Sequence, residues 1–241
     1  MKKGPLVTAL VVSLVGAGIW LTSMPSAQAA VGLDRSSMEE VSRAYSDRFL
    51  ANYDVPSGWT GTTTPSCQAG TTTAAFRQSE LALINYYRDL AGLDPVTESA
   101  AATEVAQRTA LMMAAAPYYN LSHNPDSDWP CYTTEGAAGA ARANLGSSSG
   151  ALGGGQAIEN YMSDAGENNV NVGHRQWILF PPQSHFGIGH TDSTDALVWG
   201  DGGNGMWQNE RPSGGVAWPA AGGFFPYENL PDSGRWSYSL P

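Results

Sequence analysis

Four histidines occur in the chain, and two of them place an ionisable ring at the edge of an apolar run. His174 lies in Gly173-His174-Arg175-Gln176-Trp177-Ile178-Leu179-Phe180-Pro181-Pro182, and His123 in Leu121-Ser122-His123-Asn124-Pro125, directly after a predicted helix. An imidazole serves near neutrality as general base or metal ligand, so two of them converging with a carboxylate would make a three-ligand site with one open position. Glu135, Glu159, Asp164 and Glu167 are the candidate carboxylates. The competing reading is that each ring caps a turn or helix end by hydrogen bonding. No HExxH or ExxH pair occurs, so spacing alone does not argue for metal. Arg175 would clamp a carboxylate in a cleft or pair with a structural acid such as Asp164.

Other chemistries are excluded more firmly. Both lysines, Lys2 and Lys3, precede an apolar run from Leu6 to Leu21 and the motif Ala27-Gln28-Ala29, which together read as a secretory signal over residues 1–29. An uncleaved anchor is the alternative, and it needs ~20 apolar residues. Cleavage leaves ten arginines against 22 acidic residues, a net charge of −12. Such a surface repels phosphate backbones, so no nucleic acid partner is expected. Without lysine, neither Schiff-base chemistry nor a Ser-Lys dyad operates. Gly146-Ser147-Ser148-Ser149-Gly150 fits Gly-x-Ser-x-Gly, but it lies in a Ser-Gly run read as a loop and not at a strand-to-helix elbow, and there is no phosphate-binding loop. Asn124, Asp126, Asp128 and Glu135 partly imitate a calcium loop, but Trp129 stands where that loop needs glycine, so a solvated turn is the better reading.

The two cysteines, Cys67 and Cys131, form an even pair in an oxidising compartment and are expected to be a disulfide. Closing that loop constrains the unfolded chain by about 4 kcal/mol in the entropic picture. No further stretch is long and apolar enough to span a bilayer, and no membrane span is expected after cleavage.

The elements that must position these residues follow from apolar spacing. A short amphipathic helix is predicted from Ser37 to Leu50, and residues 56–73, rich in Gly, Thr, Ser and Pro, form an arm. Helices are predicted over Ala74–Ala91, with Gly92 as its stop, over Thr97–Ala116, over Glu135–Asn144 and over Gln156–Asp164. The Ser-Gly run from Gly146 to Gly155 reads as a loop. Strands are predicted at Gln176–Phe180, Phe186–His190 and Ala196–Gly200, with Thr191–Asp195 as the turn joining the last two. Trp207, Trp218 and Trp236 stand among Gly and Pro in a tail that would wrap the domain or offer a carbohydrate platform. Helices followed by strands argue for an α+β layered domain.

The motif order Leu83-Ile84-Asn85-Tyr86-Tyr87-Arg88, Ala91-Gly92-Leu93-Asp94-Pro95, Leu121-Ser122-His123, Ala143-Asn144-Leu145, Gly173-His174-Arg175 and Gly187-Ile188-Gly189 resembles the CAP superfamily. That superfamily comprises cysteine-rich secretory proteins, antigen 5 and pathogenesis-related proteins, and the chain looks like a bacterial secreted branch. The resemblance covers roughly residues 75–200. It implies a three-layer α-β-α sandwich over residues 74–200, preceded by an N-terminal helix and arm (30–73) and followed by a Trp/Gly/Pro-rich extension (201–241).

It also implies a cleft in which His123 and His174 take the cavity histidines and Asp164 the carboxylate, with Asn144 and Arg175 lining it and zinc or another divalent cation as a candidate occupant. The family's Gly-Glu-Asn motif falls on Arg142-Ala143-Asn144, so its glutamate is missing unless Glu135 substitutes. The expected function is a secreted ligand-binding or interaction module for a small apolar or lipid ligand, a cell-wall component or a protein partner. The alternative is a metal-assisted or acid-base hydrolase in which His123, Asp164 and His174 are catalytic.

Overall fold

The computed structural model describes residues 32–117, 120–199, 209, 214–231 and 234–240. The most regular apolar pattern makes the longest helix. The Thr73 side chain accepts the Phe76 N–H to open α3 (Ala74–Leu90), and Gly92 closes it at φ 73°, a left-handed geometry that costs glycine little. Phe76, Leu83, Ile84, Tyr87 and Leu90 are all buried. Helix α4 (Ala100–Ala115) starts three residues later than its pattern suggests, because Ser99 caps it through the Ala102 N–H. Thr97–Glu98, left outside, become strand β1.

Upstream, α1 (Met38–Ala44), a π-helical turn (Tyr45–Leu50) and α2 (Ala51–Tyr53) run on continuously. The π turn adds a residue to the repeat, so Val41, Ala44 and Phe49 are buried while Leu50 faces solvent.

The remaining elements are α5 (Thr134–Ala140), β2 (Ala143–Ser147), α6 (Gly154–Ser163), α7 (Gly173–Ile178), β3 (His185–His190), β4 (Thr194–Trp199), β5 (Val216–Trp218) and β6 (Ser237–Ser239). Two expectations are corrected. The apolar run Gln176–Phe180 is not a strand: its first residues complete α7, and the Leu179 N–H bonds back to the Arg175 carbonyl. A buried run this short fits either element by pattern alone, and the neighbouring turn geometry decides. The helix expected over Glu135–Asn144 stops at Ala140, and Ala143–Ser147 pair along β4 instead. Small residues carry little strand propensity of their own, so the partner strand fixes them.

The sheet order is β1-β3-β4-β2, parallel between β1 and β3 and antiparallel elsewhere. Alternation then sorts the side chains onto two faces. Phe186, Ile188 and Leu197 join the core under α3 and α6, whereas Ala143, Leu145, Ala196 and Val198 pack with residues of α4 and α5. Gly187 and Gly189 let α4 lie against the sheet, since a Cβ at either would collide with the backbone of Ala102 or Ala106. The result is a three-layer α-β-α sandwich of mixed helix and sheet.

Cys67 and Cys131 are bonded, with Cα atoms 5.1 Å apart, and join the arm to the segment after α4. Trp218 is buried edge-on against Tyr87 of α3 and against Phe225, while Trp236 is 76% exposed. Trp207 and the expected signal segment lie outside the described residues.

The turn after α7 is held by one buried arginine. Arg88 donates Nε to the Asp94 carbonyl (2.8 Å), Nη1 to those of Ile178 (2.8 Å) and Phe180 (3.0 Å), and Nη2 to those of Pro181 (3.3 Å) and Gln183 (3.2 Å). Burial lowers its pKa to about 10, so its charge is held by carbonyl dipoles. Arg88→Met orphans these acceptors and is expected to lower unfolding free energy by roughly 3 kcal/mol or more, measured by urea denaturation followed by circular dichroism.

Candidate functional site

His174 sits in the first turn of α7, and its placement depends on Asp164, the residue that ends α6. Asp164 adopts φ 51° and Val172 φ 49°, left-handed conformations that turn the chain sharply on both sides of residues 165–171. The Asp164 carboxylate is fully buried: Oδ1 accepts from His174 Nδ1 at 2.7 Å and Oδ2 from the Arg175 backbone N–H at 3.1 Å. Nδ1 of His174 therefore carries the proton and Nε2 keeps a lone pair. His123 is set the same way, for its Nδ1 lies 2.7 Å from the Ala140 carbonyl, which only accepts. Tyr161 stacks on the His174 ring at 5.3 Å, and Asn144 Nδ2 donates to the His174 carbonyl at 3.0 Å.

Both imidazoles line one cavity of about 210 Å³, together with Asn144, Trp177 and Trp199. The two indoles stack at 4.0 Å with an 11° interplanar angle. The cavity lies where β2 begins and β4 ends, with Ala143 opposite Val198.

The other nominated residues stand elsewhere. Arg175 does not line the cavity; it is 1% exposed, and its guanidinium donates to the carbonyls of Met162 (2.6 Å), Ser163 (3.2 Å) and Arg235 (2.7 Å) and to Ser237 Oγ (3.2 Å). As the next residue along a helix from His174, it points to a different side. Burial lowers its pKa to about 10, opposed by the nearby Asp164 charge.

Asp164 stands behind His174 and not in the cavity wall, with both oxygens engaged. Glu135 is exposed in the first turn of α5, Glu167 is exposed in a 3-10 turn, and Glu159 accepts from the Tyr53 hydroxyl at 2.6 Å. None of these three is in the cavity wall.

The donors facing the cavity are thus two imidazoles and amide groups, short of the three protein ligands that a zinc site uses.

A different titratable cluster is brought together where the motifs gave no signal. Glu80 on α3, His190 at the end of β3 and Asp195 in β4 have ligand-type atoms within 4.8 Å of one another, and each is 1% exposed. His190 and Asp195 face each other across the β3–β4 turn, in register, which the predicted hairpin would have allowed. Glu80 carried only the hint of a charge among the apolar positions of an amphipathic helix. Burial first, and then the neighbouring Asp195, push the Glu80 carboxyl well above the usual range.

Residues 81–200 match the model of the cysteine-rich secretory protein family, CAP, and the chain belongs to that family. Searches among curated proteins and among solved structures gave no match. Family membership and an α-β-α fold agree with the motif order, and the formed disulfide agrees with the even cysteine pair. Among the described residues no helix is long and apolar enough to cross a membrane.

Replacing Asp164 by alanine removes the charge opposite buried Arg175 and frees the His174 ring. A loss of about 3 kcal/mol is expected, read from denaturant midpoints of the two proteins.

Proposed function

We propose that the chain is an exported CAP-domain protein that works outside the cell as a ligand-binding or interaction module, through the cavity between His123 and His174. The observation that supports this reading best is the pairing of unlike walls around that cavity. A stacked Trp177/Trp199 pair offers a flat apolar face, while the two imidazoles and the amides of Asn144, Asn168, Asn169 and Asn171 offer hydrogen bonds.

At about 210 Å³ the space falls below the ~300 to 1,000 Å³ of pockets that enclose drug-sized ligands. It suits a single ring or a short amide-bearing group better than a lipid chain. An aromatic face with convergent amide and imidazole groups favours a cell-wall component, since sugar rings stack on indole while their hydroxyl and acetamido groups need polar partners. The acidic surface argues against polyanionic cell-wall polymers as the group recognised.

A second reading rests on the Asp164–His174 pair. A buried carboxylate that holds Nδ1–H leaves Nε2 as a proton acceptor, the arrangement of a general base acting on water in a hydrolase. In that case His174 is the catalytic residue and Asp164 the positioning residue.

Isothermal titration with soluble muropeptides separates the readings. Binding by the wild-type chain that is lost on Trp199→Ala and weakened on His174→Ala, with the muropeptide recovered intact, is expected. Binding to lipid vesicles in place of muropeptides would overturn the cell-wall assignment, and cleavage of the muropeptide abolished by His174→Ala would establish the hydrolase.

A further inference from the structure

The cleft leaves unexplained one buried carboxyl group of the core. Glu80 is 1% exposed, and neither of its carboxylate oxygens has a hydrogen-bond donor. Desolvating a carboxylate without compensation costs several kcal/mol, so the group either keeps a proton or needs a cation beside it. What it faces is His190, whose Nδ1 lies 3.8 Å from Glu80 Oε1 and 3.1 Å from Asp195 Oδ2.

The other ring nitrogen settles the direction of that edge. His190 Nε2 is 2.8 Å from the Leu152 carbonyl, which only accepts, so Nε2 bears the hydrogen. Nδ1 is then left pointing between two carboxylates.

We propose that Glu80, His190 and Asp195 form a buried site for a divalent cation of zinc's size, which ties α3 to strands β3 and β4. Three lines of geometry carry this. First, a tetrahedral ion with bonds of ~2.0–2.2 Å holds its ligand atoms about 3.3–3.6 Å apart, and the separations of 3.1 and 3.8 Å from His190 Nδ1 straddle that span. Second, two carboxylates and a neutral imidazole sum to the charge that one divalent ion cancels, which matters where water does not reach.

Third, the surroundings hold the ligands as metal sites hold theirs. The Leu152 carbonyl fixes the imidazole, and the Tyr161 hydroxyl donates to Asp195 Oδ1 at 2.8 Å. Gly154, at the start of α6, closes over the cluster, and a Cβ there would press on Glu80 Oε1 and the Phe76 ring. None of the three ligands lines the His123/His174 cavity, so the role is structural and independent of the cleft.

The test uses the full chain, stripped with chelator and then offered Zn²⁺, with bound metal counted by elemental analysis after gel filtration. The His123→Ala/His174→Ala double variant is expected to retain one equivalent of zinc, and Co²⁺ in its place to give the visible bands of a low-coordinate nitrogen and oxygen site. Glu80→Gln, which keeps size and shape, is expected to lower zinc affinity by more than about tenfold. Zinc should also raise the melting temperature of the double variant.

No retained zinc in the double variant overturns the proposal and leaves a cluster that shares protons only. So does a folded Glu80→Gln variant with unchanged zinc affinity. Should Glu80→Gln fail to fold, the double variant's stoichiometry and melting shift decide alone.

Discussion

One carboxylate without solvent contact, that of Asp164, fixes the geometry on which the cleft depends. A buried carboxylate is stable only when its oxygens are paired, and here the partners come from a neighbouring helix: the ring N–H of His174 and the backbone N–H of Arg175. The same residue's carbonyl accepts from Arg235 at 2.6 Å, and Arg175 in turn donates to the Arg235 carbonyl. The end of α6, the start of α7 and the C-terminal segment are therefore held together by the hydrogen bonds of Asp164, Arg175 and Arg235. The left-handed backbone at Asp164 and Val172 is the local strain that this network sustains.

The cleft lies at one end of the sheet because the sandwich leaves room there. Along β3 the glycines at 187 and 189 bring α4 down onto one face, and the large residues of α3 and α6 cover the other. Where β2 starts and β4 ends, side chains from both layers meet at an edge: His123 anchored to the carbonyl that ends α5, and His174 anchored to the carboxylate that ends α6. Backbone and core thus orient the rings, and each is left with Nε2 unused by the anchor.

Much of this was legible in the chain. Helix α3 announced itself because apolar spacing and a glycine stop agreed, and the disulfide followed from an even cysteine count in a chain read as exported. The two histidines were singled out by their position at the borders of apolar runs, and they do line one cavity. Asp164 does bond Arg175, but through the backbone N–H and not the guanidinium, and sequence alone could not tell which side of a helix faces the cleft, so both stand behind its wall. The segment Gln176–Phe180 misled because a short apolar run has no period of its own. Strand β2 was hidden in small residues whose conformation is set by pairing with β4. Glu80 was missed because its partners lie more than a hundred residues further along the chain and no local motif unites them.

Everything in the cleft turns on both imidazoles being anchored through Nδ1 and presenting Nε2 as acceptor. Long-range ¹H–¹⁵N correlation spectra of the histidine rings, recorded at alkaline pH where the rings are neutral, read this directly. The Nδ1–H tautomer is expected for His123 and His174 alike, and for His174 it should weaken when Asp164 is replaced by asparagine. An Nε2–H tautomer at either ring would contradict the arrangement described, and with it the cleft as a binding site.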